Sequence, residues 1–370
     1  MNLTNTGLII ACSLSFVLSF LFTPFIRGVA ARWRLCDKPN GRTSRDIAHI
    51  GGVAITAAIL FTLIPLFLFY MPADPLNRAF IPVLIAGGFL VFVLGVIDDL
   101  RSLHYLYKLC LQVVVSLFIG FFGYAVLEHF GFVHVPLRFV LPTCFGVALW
   151  MFAVTTSFNL VDGIDGLASG LTLIAALAYA AAGFLADQTL VIALSLTLVG
   201  AVVGFLRYNF PPAKIFMGDS GSLFLGLLVG LVSLLLIIPG SHLFYVMAGN
   251  VVVLSVPLLD TALAFTRRII TRRPVMQADH RHIHHILLYR LGSVVKADVV
   301  LWSLAAVFGV LGVLTIRGNV GALLAAVVLE AAVFAAALRA MVHVGIGAKI
   351  DAEVFIDAGL PASHASHRGR

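Results

Sequence analysis

The chain is short of charge. Only 11% of its 370 residues are Asp, Glu, Lys or Arg, against about 25% in ordinary soluble domains, which excludes a water-soluble globule with a charged shell. Cysteine is scarce as well: Cys12, Cys36, Cys110 and Cys144 are scattered, three of them within apolar runs, and no disulfide or metal framework follows from that spacing. A basic segment ahead of the first apolar run is also lacking. Arg27, Arg32 and Arg34 come after it, so the run reads as an uncleaved signal anchor. No internal repeat or low-complexity linker divides the chain.

What the chain does have is apolar surface, with 61% hydrophobic residues and a mean hydropathy of +1.07. Apolar runs recur near the roughly 20 residues needed to cross a bilayer, at 7–26, 50–70, 80–97, 108–125, 139–158, 166–185, 189–206, 221–238, 244–266, 298–316 and 319–341. The expected fold is an all-α polytopic membrane protein of about eleven transmembrane helices. Residues 1–345 would form one integral membrane domain with cytoplasmic loops, and 346–370 a cytoplasmic tail. Assigning the connecting segments alternately to two sides puts 21 of the 24 Lys and Arg on one side and leaves Arg78, Arg138 and Arg317 opposite. By the positive-inside rule the rich side is cytoplasmic, the N-terminus outside and the C-terminus cytoplasmic. The formal charge of +7 then faces anionic headgroups of the lipid bilayer and calls for no nucleic acid.

Acidic residues number 17, and Asp37, Asp46, Asp98, Asp99, Asp162, Asp165, Asp219, Asp260, Asp279 and Asp298 lie in or beside segments of the basic side. An ionisable group at mid-bilayer costs on the order of 2.5–3.5 kcal/mol, so these groups belong at the boundary or around a polar cavity. Carboxylates gathered at one face beside Arg and Lys fit a hard-cation site serving phosphate chemistry. In "VIDDLRSLHYLYK", Asp98 and Asp99 end the third run; alone the pair reads as a solvated helix end, and adjacent side chains point apart on a helix, which gives the two separate jobs. In "NLVDGIDGLASG", Asn159, Asp162 and Asp165 are three apart with Gly163 and Gly166 interleaved. That spacing suits one helix face, a close backbone approach to a ligand, or a polar contact between helices.

In "RYNFPPAKIFMGDSGSLFLG", Pro211 and Pro212 stop a helix, Lys214 adds a charge, and Asp219 and Ser220 open the eighth run. The position suits an anion at a helix N-terminus or an ordinary N-cap. "PLLDTALAFTRRIITRRPVMQADHRHIHHILLYRLG" joins Asp260 and Arg267, Arg268, Arg272 and Arg273 to His280, His282, His284 and His285. Imidazoles at i and i+4 can grip a transition metal, but no HExxH or cysteine accompanies them, and imidazoles beside arginines suit a diphosphate.

With "DKPNGR", "VIDDL", "NLVDGIDGLASG", "NFPPAKIFMGDSGSLFLG", "PLLDT" and "HRHIHH" in this order, the chain resembles the polyprenyl-phosphate N-acetylhexosamine-1-phosphate transferases over roughly residues 7–341. Its "HIHH" ending resembles the undecaprenyl-phosphate GlcNAc-1-phosphate branch. The resemblance implies transfer of the sugar 1-phosphate from a UDP-N-acetylhexosamine to polyprenyl (undecaprenyl) phosphate, with release of UMP. The setting it implies is the cytoplasmic face of a bacterial inner membrane, at the start of O-antigen, common-antigen or teichoic-acid linkage synthesis.

It further implies Mg2+, or Mn2+ in its place, on Asp219 with Asp99, and Asp98, Asp99, Asp162 and Asp165 as catalytic carboxylates. Substrate contacts would come from Asp37, Lys38, Asn40, Arg42, Lys108, Asn159, Asn209, Lys214, Arg267, Arg268, His280, His282, His284 and His285. It leaves room for a homodimer. The chain departs from the family at "GRTSRDIAHIGG", which is short and has no proline, so His49 does not inherit the family histidine's place. Direct attack by a lipid phosphate oxygen and an aspartyl-phosphate route through Asp162 or Asp165 both fit these residues. Two other classes compete: a transporter or flippase, whose carboxylates would sit near the midplane, where Glu330 is the chief acid, and a zinc hydrolase built on the histidines.

Overall fold

The computed structural model describes residues 5–37, 47–70, 75–101, 103–129, 136–236, 242–270 and 282–343. In lipid, every backbone N–H and C=O must find its partner within the segment, so the apolar runs become helices. They are α1 (Asn5–Arg32), α2 (Gly51–Pro65, continued by a π-helical turn Leu66–Tyr70), α3 (Pro75–Arg101), α4 (Tyr105–His129), α5 (Leu137–Val161), α6 (Leu167–Leu185), α7 (Thr189–Asn209), α8 (Gly218–Leu235), α9 (Leu243–Val253), α10 (Ser255–Ile270), α11 (Ile283–Leu291), α12 (Val294–Ile316) and α13 (Val320–His343). Ten of these are long and apolar enough to cross a membrane, and α9 with α10 makes an eleventh, bent by 77°.

Two features depart from the sequence reading. The ninth run, expected to be continuous over 244–266, is broken at Leu254. Pro257 falls in the first turn of α10, where its missing N–H costs nothing, while an unbroken helix would set its ring against the carbonyl of Val253. The all-α expectation also meets a small exception, an antiparallel pair of β1 (Cys36–Asp37) and β2 (Ile47–Ala48).

Helices α6, α7 and α8 form the buried middle, with α1 on α7, α3 and α5 on α8, and α12 on α6 and α9. α13 lies at the periphery, and large side chains such as Phe25, Leu149, Phe244 and Val328 point outward, as a lipid-facing surface requires.

The segment entering α8 runs along the start of α2. Gly51 and Gly52 donate their N–H groups to the carbonyls of Phe216 (3.0 Å) and Met217 (2.7 Å), and Phe216 donates to Ala48 (2.8 Å). First-turn N–H groups that a helix leaves orphaned are satisfied here by another chain segment. The approach is close enough that a Cβ on Gly52 would run into the backbone of Ser220 and Gly221. Gly52→Val is therefore expected to cost about 1–3 kcal/mol, read as a lowered midpoint of thermal unfolding in detergent, and an unchanged midpoint would refute this packing.

Candidate active site

The residues at the ends of α3, α4, α5 and α8 interlock. Asp99, in the last turn of α3, accepts the backbone N–H groups of Asp219 (2.6 Å) and Ser220 (3.1 Å), so a carboxylate from another helix caps α8. Met217, at the N-cap position of α8, contributes no side-chain bond. Gly218, at φ +72°, turns the chain into α8, and a Cβ there would meet the carboxylate of Asp99 and the carbonyl of His49. His49 Nε2 lies 2.9 Å from the Asp99 carbonyl; a carbonyl only accepts, so Nε2 carries the proton.

The neighbouring carboxylate has the separate task its direction implied. Asp98 accepts the Leu103 N–H (2.6 Å) and pairs with Lys108 Nζ (2.8 Å). The same ammonium bonds Asp219. The other oxygen of Asp219 accepts from Asn159 Nδ2 at 2.5 Å, and Asn159 also reaches Ser222 Oγ at 2.9 Å. Asp219 is thus the junction of α3, α4, α5 and α8.

The Asp-Gly turn between α5 and α6 is tied to the proline-rich strap. Asp165 accepts the Ala213 N–H (2.9 Å). Asn209, expected to contact substrate, is buried and uses its carboxamide structurally, accepting from Gly166 N–H (3.2 Å) and Ser169 Oγ (2.9 Å) and donating to the Ile215 carbonyl (3.1 Å). Behind this turn lies Asp298 of α12, fully buried, with neither carboxylate oxygen hydrogen-bonded.

The histidines close the other wall. Asp260 of α10 accepts from His282 Nδ1 (2.9 Å) and from the Ile283 N–H (2.6 Å), which fixes both the imidazole and the start of α11. His284 rests on Gly163, where a Cβ would strike its Nε2, and the rings of His284 and His285 lie 4.2 Å apart. His282, His284, His285, Arg267 and Arg268 are all buried. Lys214 is exposed, and Asp37 stands opposite Ile47 in the strand pair. Lys38, Asn40, Arg42 and His280 lie outside the described residues. Sequence reasoning passed over Asp260, His49 and Asp298 as site residues. For Asp260 the signal was a carboxylate inside the apolar "PLLDT", and for His49 its place just before Gly51 and Gly52; nothing local marked Asp298.

Charge at this corner is unbalanced. Asp162 is half-buried just beyond α5. Burial first, and then the carboxylates of Asp219, Asp99 and Asp165, hold its carboxyl well above the usual carboxylate range, against the opposing pull of Lys108.

Helices long and apolar enough to cross a membrane carry carboxylates, an ammonium and imidazoles at one end, which defines a polar site in a membrane-embedded protein. Residues 81–237 match glycosyl transferase family 4. The chain is 32% identical to a probable undecaprenyl-phosphate N-acetylglucosaminyl 1-phosphate transferase of Bacillus subtilis over 76% of this chain and 77% of that one. Undecaprenyl-phosphate alpha-N-acetylglucosaminyl 1-phosphate transferases of Thermotoga maritima and Escherichia coli K12 are 28% and 30% identical, covering 80% and 79% of this chain and 87% and 79% of theirs. The chain belongs to the polyprenyl-phosphate N-acetylhexosamine-1-phosphate transferase family.

A carboxyl raised in the fold binds its proton more tightly there than in the unfolded chain, so its contribution to stability falls as pH rises from the ordinary carboxylate range through the raised value. Without divalent cations, wild-type protein should lose thermal stability across that window. Asp162→Asn should flatten the slope and raise the midpoint at neutral pH; identical pH profiles for the two proteins would contradict the assignment.

Proposed function

We propose that the chain transfers N-acetylhexosamine 1-phosphate, with GlcNAc as the first sugar to test, from its UDP-sugar to undecaprenyl phosphate and releases UMP. The observation that carries this reading is the junction at Asp219, where Lys108 and Asn159 meet a carboxylate at the capped N-terminus of α8. The relatives' names supply the acceptor and the transferred group for those proteins. The lipid phosphate has a second pKa near 6 and is largely dianionic at pH 7, so it needs orientation more than a base. One of its oxygens would bond to the phosphorus that bears the sugar as the bond to the UMP oxygen breaks, and UMP leaves with the electron pair.

In this reading Lys108 relieves charge on the phosphates, while Asp98 and Asp219 hold its ammonium in place. His282, His284 and His285, with Arg267 and Arg268, take the donor's side of the site, and Asp260 fixes the His282 ring. Asp162 and Asp165 stand on the turn between the two walls. Asp165 also accepts the Ala213 amide, which ties this turn to the proline-rich strap.

The donor set also suits Mg2+ or Mn2+. Among the described residues no three Asp, Glu, His or Cys side chains converge to hold a metal, and Mg2+ often takes only one or two protein carboxylates beside phosphate oxygens and water. The surplus of carboxylates around Asp162 and the remaining lone pairs of Asp219 and Asp99 fit such a cation. Asp219 with Asp99 would hold it, and when bound it supplies Lewis-acid relief of the diphosphate's charge. By the positive-inside rule the site, with Lys108, Arg267 and Arg268 beside it, would face the cytoplasm of a bacterial inner membrane in this reading. The lipid-linked product would begin an envelope polymer.

The test is lipid-dependent UMP release by purified protein with undecaprenyl phosphate, Mg2+ and a panel of UDP-sugars. One UDP-N-acetylhexosamine should be turned over, and Asp219→Asn should lower its rate at least about a hundredfold while remaining folded. Folded wild-type protein that releases no UMP from any sugar nucleotide would end the transferase reading.

A further inference from the structure

Glu330 stands apart from the site and deep within a helix. Glu330 is the eleventh of the 24 residues of α13, roughly 15 Å along the helix from its start at 1.5 Å per residue. That depth is an expensive place for a carboxyl group. Most of α13 faces outward, and the proposed chemistry makes no use of it. Yet Glu330 is half-buried and hydrogen-bonds Ser255 Oγ, the first residue after the break between α9 and α10. Ser255 also lies 2.8 Å from the Val252 carbonyl and 3.2 Å from that of Val251, so one side chain joins the end of α9, the start of α10 and the middle of α13.

The break determines where α10 points. Five residues beyond Ser255, Asp260 holds His282 and the first amide of α11. At the next residue, Thr261 Oγ1 lies 2.9 Å from Ser157 Oγ of α5, two residues before Asn159. α13 packs against α9, α10, α11 and α12, among them α10, which carries Asp260, and α11, which carries His284 and His285. A 77° bend separates α9 from α10, and contacts from outside the two helices can hold its angle. A polar pin at its apex is such a contact.

We propose that Glu330 is a positioning residue for the histidine wall. Through Ser255 it sets the angle at which α10 leaves the break, and so brings Asp260 to His282. The inference rests on the assignment of the histidines to the sugar nucleotide.

Full-length protein in detergent tests it, wild type first. In Glu330→Ala and in Ser255→Ala, which removes the same bond from the other side, KM for the UDP-sugar should rise about fivefold, as loss of one net hydrogen bond gives. KM for undecaprenyl phosphate should stay unchanged, and Glu330→Gln, which keeps a hydrogen-bonding partner for Ser255, should match wild type. Hydrogen exchange reads the same geometry without turnover: amides of Ile283–Leu291 should exchange faster in Glu330→Ala and not in Glu330→Gln. Equal damage from Ala and Gln, an equal rise in both KM values, or unchanged exchange at α11 in Glu330→Ala would each overturn the proposal. Wild-type protein without UMP release would instead end the transferase reading, and the exchange comparison would still decide the role of Glu330.

Discussion

Asp99 caps a helix to which it does not belong, and the geometry of the site follows from that bond. α8 begins with N–H groups that have no helical acceptor, and its own N-cap residue, Met217, offers no side-chain oxygen. The carboxylate of Asp99 accepts two of these groups, which fixes the end of α3 against the start of α8. Had the cap been local, the side chain of Asp219 or Ser220 could have been drawn back onto its own helix. With the cap supplied from outside, Asp219 is free to turn toward Lys108 and Asn159. The bare Cα of Gly218 and the close pairing of Gly52 with Gly221 are the spatial conditions for that arrangement.

The same constraint explains why the polar groups gather at one end of the bundle. A carboxylate at the membrane boundary keeps part of its hydration, whereas one at mid-depth must find a partner inside the protein. Asp98, Asp99, Asp162, Asp165 and Asp219 stand at helix ends or on the turn that follows one. Glu330 stands deep within α13 and bonds Ser255 at a helix break. A transport path would place its exchangeable carboxylates in the middle of the bundle; here the mid-depth acid is engaged in packing and the boundary acids form the cluster.

Much of this was legible in the sequence, for identifiable reasons. The spans are visible because a bilayer demands long apolar runs, and the divergent tasks of Asp98 and Asp99 follow from the rotation between adjacent helical residues. What stayed hidden depends on contacts between distant segments. The carboxamide of Asn209 reads equally well as a ligand for substrate, and only the fold shows it committed to Gly166, Ser169 and Ile215. The bond from Asp260 to His282 spans a segment whose course no periodicity reveals. The break at Leu254 lies inside an evenly apolar run, where Pro257 alone marked it. His49 acts through its ring on the Asp99 backbone, a role that no motif encodes.

The acidic surplus gives the site its electrostatic logic. In the proposed reading two anionic substrates would be repelled by carboxylates alone, and Lys108 already shares its charge between Asp98 and Asp219. The fold therefore holds Asp162 among Asp219, Asp99 and Asp165, where burial and like charge favour its proton. In that reading Asp219 and Asp99 would hold a divalent cation, which would supply charge relief to this cluster. The cap at α8 fixes Asp99 beside Asp219, so the bond that joins α3 to α8 also holds the carboxylates that surround Asp162.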